Sequence, residues 1–139
     1  MLKVTLLFAA KKLSAPTLAG LQEYKKRLSQ SCQLDWKTSV ETPEGVVQNN
    51  SSGQIHMIQL DQNGQSYFSP ELARQFQTWM TSGISQLVFY IGVPSHGYPP
   101  ACSTLSLSPA TLSSNTAGLL VTEQIYRAFR ILEGKSYHK

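Results

Sequence analysis

Charge is what this chain has least of. Asp, Glu, Lys and Arg make up 14% of its 139 residues, against roughly 25% in an average soluble domain. With two Trp, six Tyr and five Phe also present, that scarcity argues against a disordered acidic or basic tail. Cysteine is scarce as well. Cys32 and Cys102 are too few for a disulfide framework or a four-cysteine zinc site. They read as free thiols of a reducing compartment, and no metal is expected. No stretch approaches the roughly 20 apolar residues that span a bilayer, so no membrane partner is expected. The apolar start, Leu2 to Phe8, is too short for a secretory signal, and Lys11 and Lys12 follow it rather than precede it. It reads as a first β-strand of a cytoplasmic protein.

The charges that are present are unevenly placed. Lys3, Lys11, Lys12, Lys25, Lys26 and Arg27 face a single acid, Glu23, in the first 31 residues. Asp35, Glu41, Glu44, Asp61 and Glu71 then outnumber Lys37. From Gln75 to Thr122 there is no charged residue, and the chain closes on Arg127, Arg130, Lys135 and Lys139 against Glu123 and Glu133. The formal charge is +4. If the fold joins the two basic ends, they offer one surface for a polyanion such as RNA; equally, they solubilise two amphipathic helices.

Periodicity supplies the elements. Leu2–Phe8, Leu34–Val40 and Ile55–Leu60 are strand-like, and Leu87–Gly92 is a continuous apolar run of the kind buried on both faces of a parallel sheet. Ser103–Ser108 suits a short last strand. Ser14 caps a helix to about Ser29 whose stripe is Leu18, Leu21, Tyr24 and Leu28. Ser69-Pro70-Glu71 starts a second helix, stopped by Gly83, with Ser69 as its cap. A third runs from about Asn115 to Glu133, with Gly134 as its stop. Thr42 to Gly53 is polar and reads as a loop. The order is strand, helix, strand, strand, helix, strand, strand, helix: one α/β domain over residues 1–139 with a mostly parallel sheet. Ligands of such folds sit beyond the C-terminal strand ends, here Leu60-Asp61, Gly92-Val93-Pro94 and Ser108-Pro109.

The charge-free block restricts the chemistry. It holds no Walker loop, GxGxxG, HExxH, GxSxG or CxxC, and His96 is the one side chain in it that titrates near neutrality. Hydrolysis and phosphoryl transfer find no support there. Backbone groups on Gly- and Pro-rich loops beside apolar side chains suit an adenine ring and a thioether better than a triphosphate.

Several of these segments together resemble a known family. They are Ile58-Gln59-Leu60-Asp61, Ser69-Pro70-Glu71-Leu72, Tyr90-Ile91-Gly92-Val93-Pro94, Pro100-Ala101-Cys102, Leu105-Ser106-Leu107-Ser108 with Thr111-Leu112, Glu123 to Ala128, and the terminal Tyr137-His138-Lys139. In that order they resemble RlmH-type SPOUT methyltransferases, which methylate N3 of a pseudouridine in 23S rRNA. The resemblance implies a SPOUT-type α/β knot, with the C-terminal segment threaded through a loop to form an S-adenosyl-L-methionine pocket. It implies a homodimer in which the long terminal helices pack together, and 23S rRNA or the assembled ribosome as partner. Leu60, Gly92, Val93, Ser108, Pro109, Ala110, Thr111, Leu112 and Ser113 would line the cofactor. Tyr137 and His138 would act at the target base, with His138 as the base, while Arg127, Lys135 and Lys139 would meet RNA. The chain departs from the family pattern at Val93 (usually Gly), Ser114 (usually His) and Gly118 (usually Arg), and the region 42–53 lacks room for a helix the family has there. Two readings therefore stand: an active rRNA methyltransferase, and a non-catalytic SPOUT-fold dimer that binds RNA or a partner without methyl transfer.

Overall fold

Short β-branched and aromatic strands alternating with amphipathic helices leave little choice but a sheet with helices laid against it. The computed structural model describes residues 1–8, 12–38, 54–67, 69–92, 103–108 and 112–134. Along the chain these form β1 (Lys3–Phe8), α1 (Ala15–Arg27), β2 (Gln33–Thr38), β3 (Gln54–Leu60), α2 (Ser69–Thr81), β4 (Ile84–Ile91), β5 (Ser103–Leu105) and α3 (Ser114–Leu132). The element order is the one expected from periodicity. Most boundaries shift by one to three residues; β4, for example, begins at Ile84 rather than Leu87, and α1 ends at Arg27 rather than about Ser29. The last strand stops at Leu105 rather than Ser108, with only an isolated bridge from Ser106 to Ser66 beyond it. Ser69 is the first residue of α2 rather than a cap outside it, a one-residue difference of the kind helix ends always allow.

The described strands form one five-stranded sheet in the order β2-β1-β4-β3-β5, and all four pairings are parallel. The chain leaves β3 through α2 to β4 on one side, then returns across β3 to place β5 on the other.

The two sheet faces are unlike. Val4, Leu6 and Phe8 of β1, Leu87, Phe89 and Ile91 of β4, and Ile58 of β3 join Leu21, Leu28, Phe76, Val121, Ile125 and Phe129 of the helix layer in the main core. Phe76 anchors it, with ring centroids 5.4 Å from Trp79 and 5.5 Å from Phe129. The opposite face carries a smaller buried cluster, Leu7, Val88 and Tyr90. Beside it the Gln86 side-chain amide donates to Thr5 Oγ1 at 3.0 Å.

Helices α1 and α3 lie side by side, which brings Arg27 and Arg130 over the same Tyr126 ring, while Lys11, Lys135 and Lys139 of the basic ends lie outside the described residues. The Ser14 N–H donates to Asn115 Oδ1 at 3.1 Å at one end, and the Ser31 hydroxyl bonds the Glu133 carboxylate at the other. Between them Tyr24 and Tyr126 approach to 5.6 Å. Ser14 caps α1 through Thr17 N–H, as the sequence indicates. Near the end of this seam the buried Cys32 thiol is pushed up to about 12, first by desolvation and then by Glu133. It is therefore no nucleophile.

Candidate functional site

Where β3, β4 and β5 end, the sheet stops supplying partners and the chain must turn. Asp61 to Gly64 makes that turn after β3. Asp61 N–H donates to Leu105 O at 3.0 Å, Gly64 N–H to Asp61 O at 2.9 Å, and Asn63 N–H to Asp61 Oδ1 at 3.0 Å. The last is an Asx turn, for which Asp and Asn are the suited residues. The turn is also stitched to the end of β5. Ser106 N–H donates to Gln65 O at 2.8 Å, and the Ser106 hydroxyl lies 3.1 Å from both the Gln62 and Ser108 carbonyls. Gly64 permits this contact, because a Cβ there would lie 2.9 Å from Thr104 Cβ.

At the end of β4, Gly92 has φ +72, a left-handed conformation that glycine adopts without penalty. Across from it α3 begins. The Ser113 hydroxyl accepts from Thr116 N–H at 3.2 Å and caps the helix. The first turn therefore turns the partial positive charge of a helix N-terminus toward this end of the sheet.

Together these elements enclose a cavity of about 370 Å³. Leu60, Ile91, Leu105, Leu107, Leu112 and Ala117 give it apolar walls, and Asp61, Gln62, Asn63, Gly92, Ser108 and Ser114 add the polar groups. The volume is that of a small-ligand site. No Lys or Arg is among the described lining residues, which suits a nucleoside with a short polar tail and disfavours a polyphosphate.

Of the residues expected to hold a cofactor, Leu60, Gly92, Ser108 and Leu112 meet in this cavity. Ser113 sits beside it as the α3 cap rather than in its lining. Val93, Pro109, Ala110 and Thr111 lie outside the described residues, as do Tyr137, His138, Lys135 and Lys139 and the region 42–53. Arg127 stands on α3 well away from the cavity, ten residues beyond Ala117, a rise of about 15 Å along the helix. Gln62 and Asn63 extend the strand end at Leu60-Asp61 further into the lining than the sequence indicates.

Two departures from the family pattern acquire a physical setting. Ser114 lines the cavity, so a small neutral hydroxyl stands in its wall. Gly118 is buried beneath Phe8, and a Cβ there would meet Phe8 Cε1 at 2.2 Å. The Phe8 ring occupies the space any side chain at 118 would need.

No described helix is long and apolar enough to cross a membrane. Among the described residues, no group of three or more His, Cys, Asp and Glu is placed to hold a metal.

The family described as "Predicted SPOUT methyltransferase" matches residues 2–138. Among curated relatives, one from Hahella chejuensis named "Ribosomal RNA large subunit methyltransferase H" is 28% identical, with 99% of each chain covered. Proteins of the same name from Syntrophomonas wolfei (32% identical, covering 88% of this chain and 90% of the relative) and Acetivibrio thermocellus (30%, covering 99% and 100%) are similar too. An all-parallel α/β sheet with its cavity at the strand ends, matched along almost its whole length by one family, places this chain among the RlmH-type SPOUT methyltransferases.

Proposed function

We propose that the protein transfers a methyl group from S-adenosyl-L-methionine to N3 of a pseudouridine in large-subunit (23S) ribosomal RNA, as a cytoplasmic homodimer of one knotted SPOUT domain. The observation that carries this reading is the cavity at the ends of β3, β4 and β5, with apolar walls and no Lys or Arg in its described lining, in a chain whose relatives are named as large-subunit rRNA methyltransferases.

The residues present fit the donor. Leu60, Ile91, Leu105 and Leu107 provide apolar surface for an adenine ring, and Gly92 brings bare backbone to the cavity edge. Leu112, Ser113 and the first turn of α3 would face the carboxylate of the amino-acid tail, where the helix dipole favours negative charge. Val93 and Ser108 to Thr111 complete the set by family resemblance. When bound, the sulfonium supplies a methyl already activated toward a nucleophilic nitrogen. The protein's own work is to align the two reactants and to take a proton from the attacking nitrogen. Tyr137 and His138 are assigned to the target base, with His138 holding that proton. Arg127, Lys135 and Lys139 are assigned to RNA phosphates, which position rather than specify.

Calorimetric titration with S-adenosyl-L-methionine and methyl transfer from labelled donor to ribosomes test the proposal together. Binding with transfer, and loss of transfer alone on deleting Tyr137 to Lys139, is the expected result. A folded protein that binds no donor overturns it. Donor binding with no transfer to any ribosomal substrate favours the non-catalytic reading.

A further inference from the structure

We infer that Asp61 makes this cavity selective for the positively charged methyl donor over its neutral product. The inference rests on the proposed use of S-adenosyl-L-methionine and deepens it. Among the described lining residues, Asp61 is the only one with a formal charge. It belongs to neither ion pair of the described residues, which join Lys25 to Asp35 and Arg27 to Glu23. Its Oδ1 accepts from Asn63 N–H, while Oδ2 takes no donor from the described residues. A lining carboxylate that no cation of the described residues pairs attracts a cationic ligand.

Its position is fixed. The Asp61 N–H is bonded to β5, the turn closes on Gly64, and the Ser106 hydroxyl holds the following backbone. The charge is thus held in place before any ligand arrives, at little ordering cost on binding. The α3 N-terminus walls another part of the cavity through Ser114 and Ala117. One wall favours the carboxylate of a zwitterionic tail and the other favours a cation.

The donor carries a sulfonium. When its methyl leaves, the bonding electron pair stays with sulfur and the product is an uncharged thioether there. Everything else in the two molecules is shared: adenine, ribose, ammonium and carboxylate. A fixed negative charge therefore strengthens donor binding relative to product binding, and so favours exchange of spent cofactor.

The test is Asp61→Asn. Asparagine keeps a side-chain carbonyl to accept from Asn63 N–H, so the Asx turn survives while the charge is lost; an unchanged urea midpoint checks this. Titrations of both proteins use S-adenosyl-L-methionine, S-adenosylhomocysteine and sinefungin, which carries an amine in place of the sulfonium. The expected result is roughly tenfold weaker binding of the two cationic ligands, with S-adenosylhomocysteine changed less than about twofold. Equal weakening of all three would place Asp61 on a shared group, and no weakening would leave it without a role; either overturns the inference while the donor reading stands. If the unaltered protein binds none of them, both fall. A second measurement needs no variant: raising salt from about 20 mM to about 500 mM should weaken donor binding more than product binding, and parallel salt responses count against the inference.

Discussion

At the C-terminal ends of β3, β4 and β5 one carboxylate, Asp61, stands among otherwise neutral described lining residues. At the far end of the α1–α3 seam the charges crowd together. Lys25 pairs with Asp35 at 2.8 Å and Arg27 with Glu23 at 2.9 Å. Arg27 lies over the rings of both Tyr24 and Tyr126, and Arg130 also lies over Tyr126. Burial, with Glu123 second, raises the Tyr24 hydroxyl above its usual value, and Arg27 opposes the shift. Three of the cations counted at the chain ends, Lys25, Arg27 and Arg130, are therefore met by local acids or rings. The comparison teaches that formal charge is a poor guide to where this fold opens a cavity: its described walls are apolar side chains, neutral polar groups and one carboxylate. The charged end holds exposed pairs, which contribute little each.

Three experiments press on that contrast. The largest effect is expected at the cavity end, where packing leaves no slack. Gly118→Ala forces a methyl into the Phe8 ring and should destabilise the protein by about 3 kcal/mol, measured by urea denaturation. Adding Phe8→Leu should recover part of that loss, because the two positions share one volume. A fully stable Gly118→Ala would show the cavity end to be as tolerant as the charged one.

An intermediate effect is expected in the sheet between them. His56 packs 5.0 Å from Trp79 and bonds Ser103 Oγ at 3.0 Å. Burial lowers its pKa from 6.5. Its charged form is then disfavoured in the folded state, and the unfolded chain binds the extra proton first. Stability is thus full above about pH 6.5 and falls as pH drops toward the lower folded value. Equilibrium unfolding from pH 7.5 to pH 5 should lose less stability in His56→Gln than in the unaltered protein; identical slopes would remove His56 from the pH response.

The smallest effect belongs to the charged end. Lys25→Ala should cost no more than about 0.5 kcal/mol, because both partners of the Lys25–Asp35 pair are well exposed. A double-mutant cycle with Asp35→Ala measures the pair itself, and a coupling well above that figure would erase the contrast.

The strand and helix order was legible because each element carries its own period and its own cap, as Ser14 and the continuous Leu87 to Ile91 run illustrate. The placement of the site at the ends of β3, β4 and β5 followed from the parallel-sheet rule alone. Three features were not legible. That Ser113 caps α3 while Ser114 lines the cavity depends on where a helix starts to within one residue. That Asp61 is the lone charge among the described lining residues depends on which distant side chains share the lining. That Gly118 accommodates a phenyl ring depends on a contact between residues 110 positions apart, and no local pattern encodes such a contact.

The Phe8 ring seated on Gly118 also ties two distant positions of the sequence together. An arginine at position 118, the residue the family resemblance would place there, has no room while the Phe8 ring stands where it does. Position 8 has to shrink to admit it. The two positions thus behave as one unit of volume: what position 118 can hold is decided at position 8, on the far side of the chain.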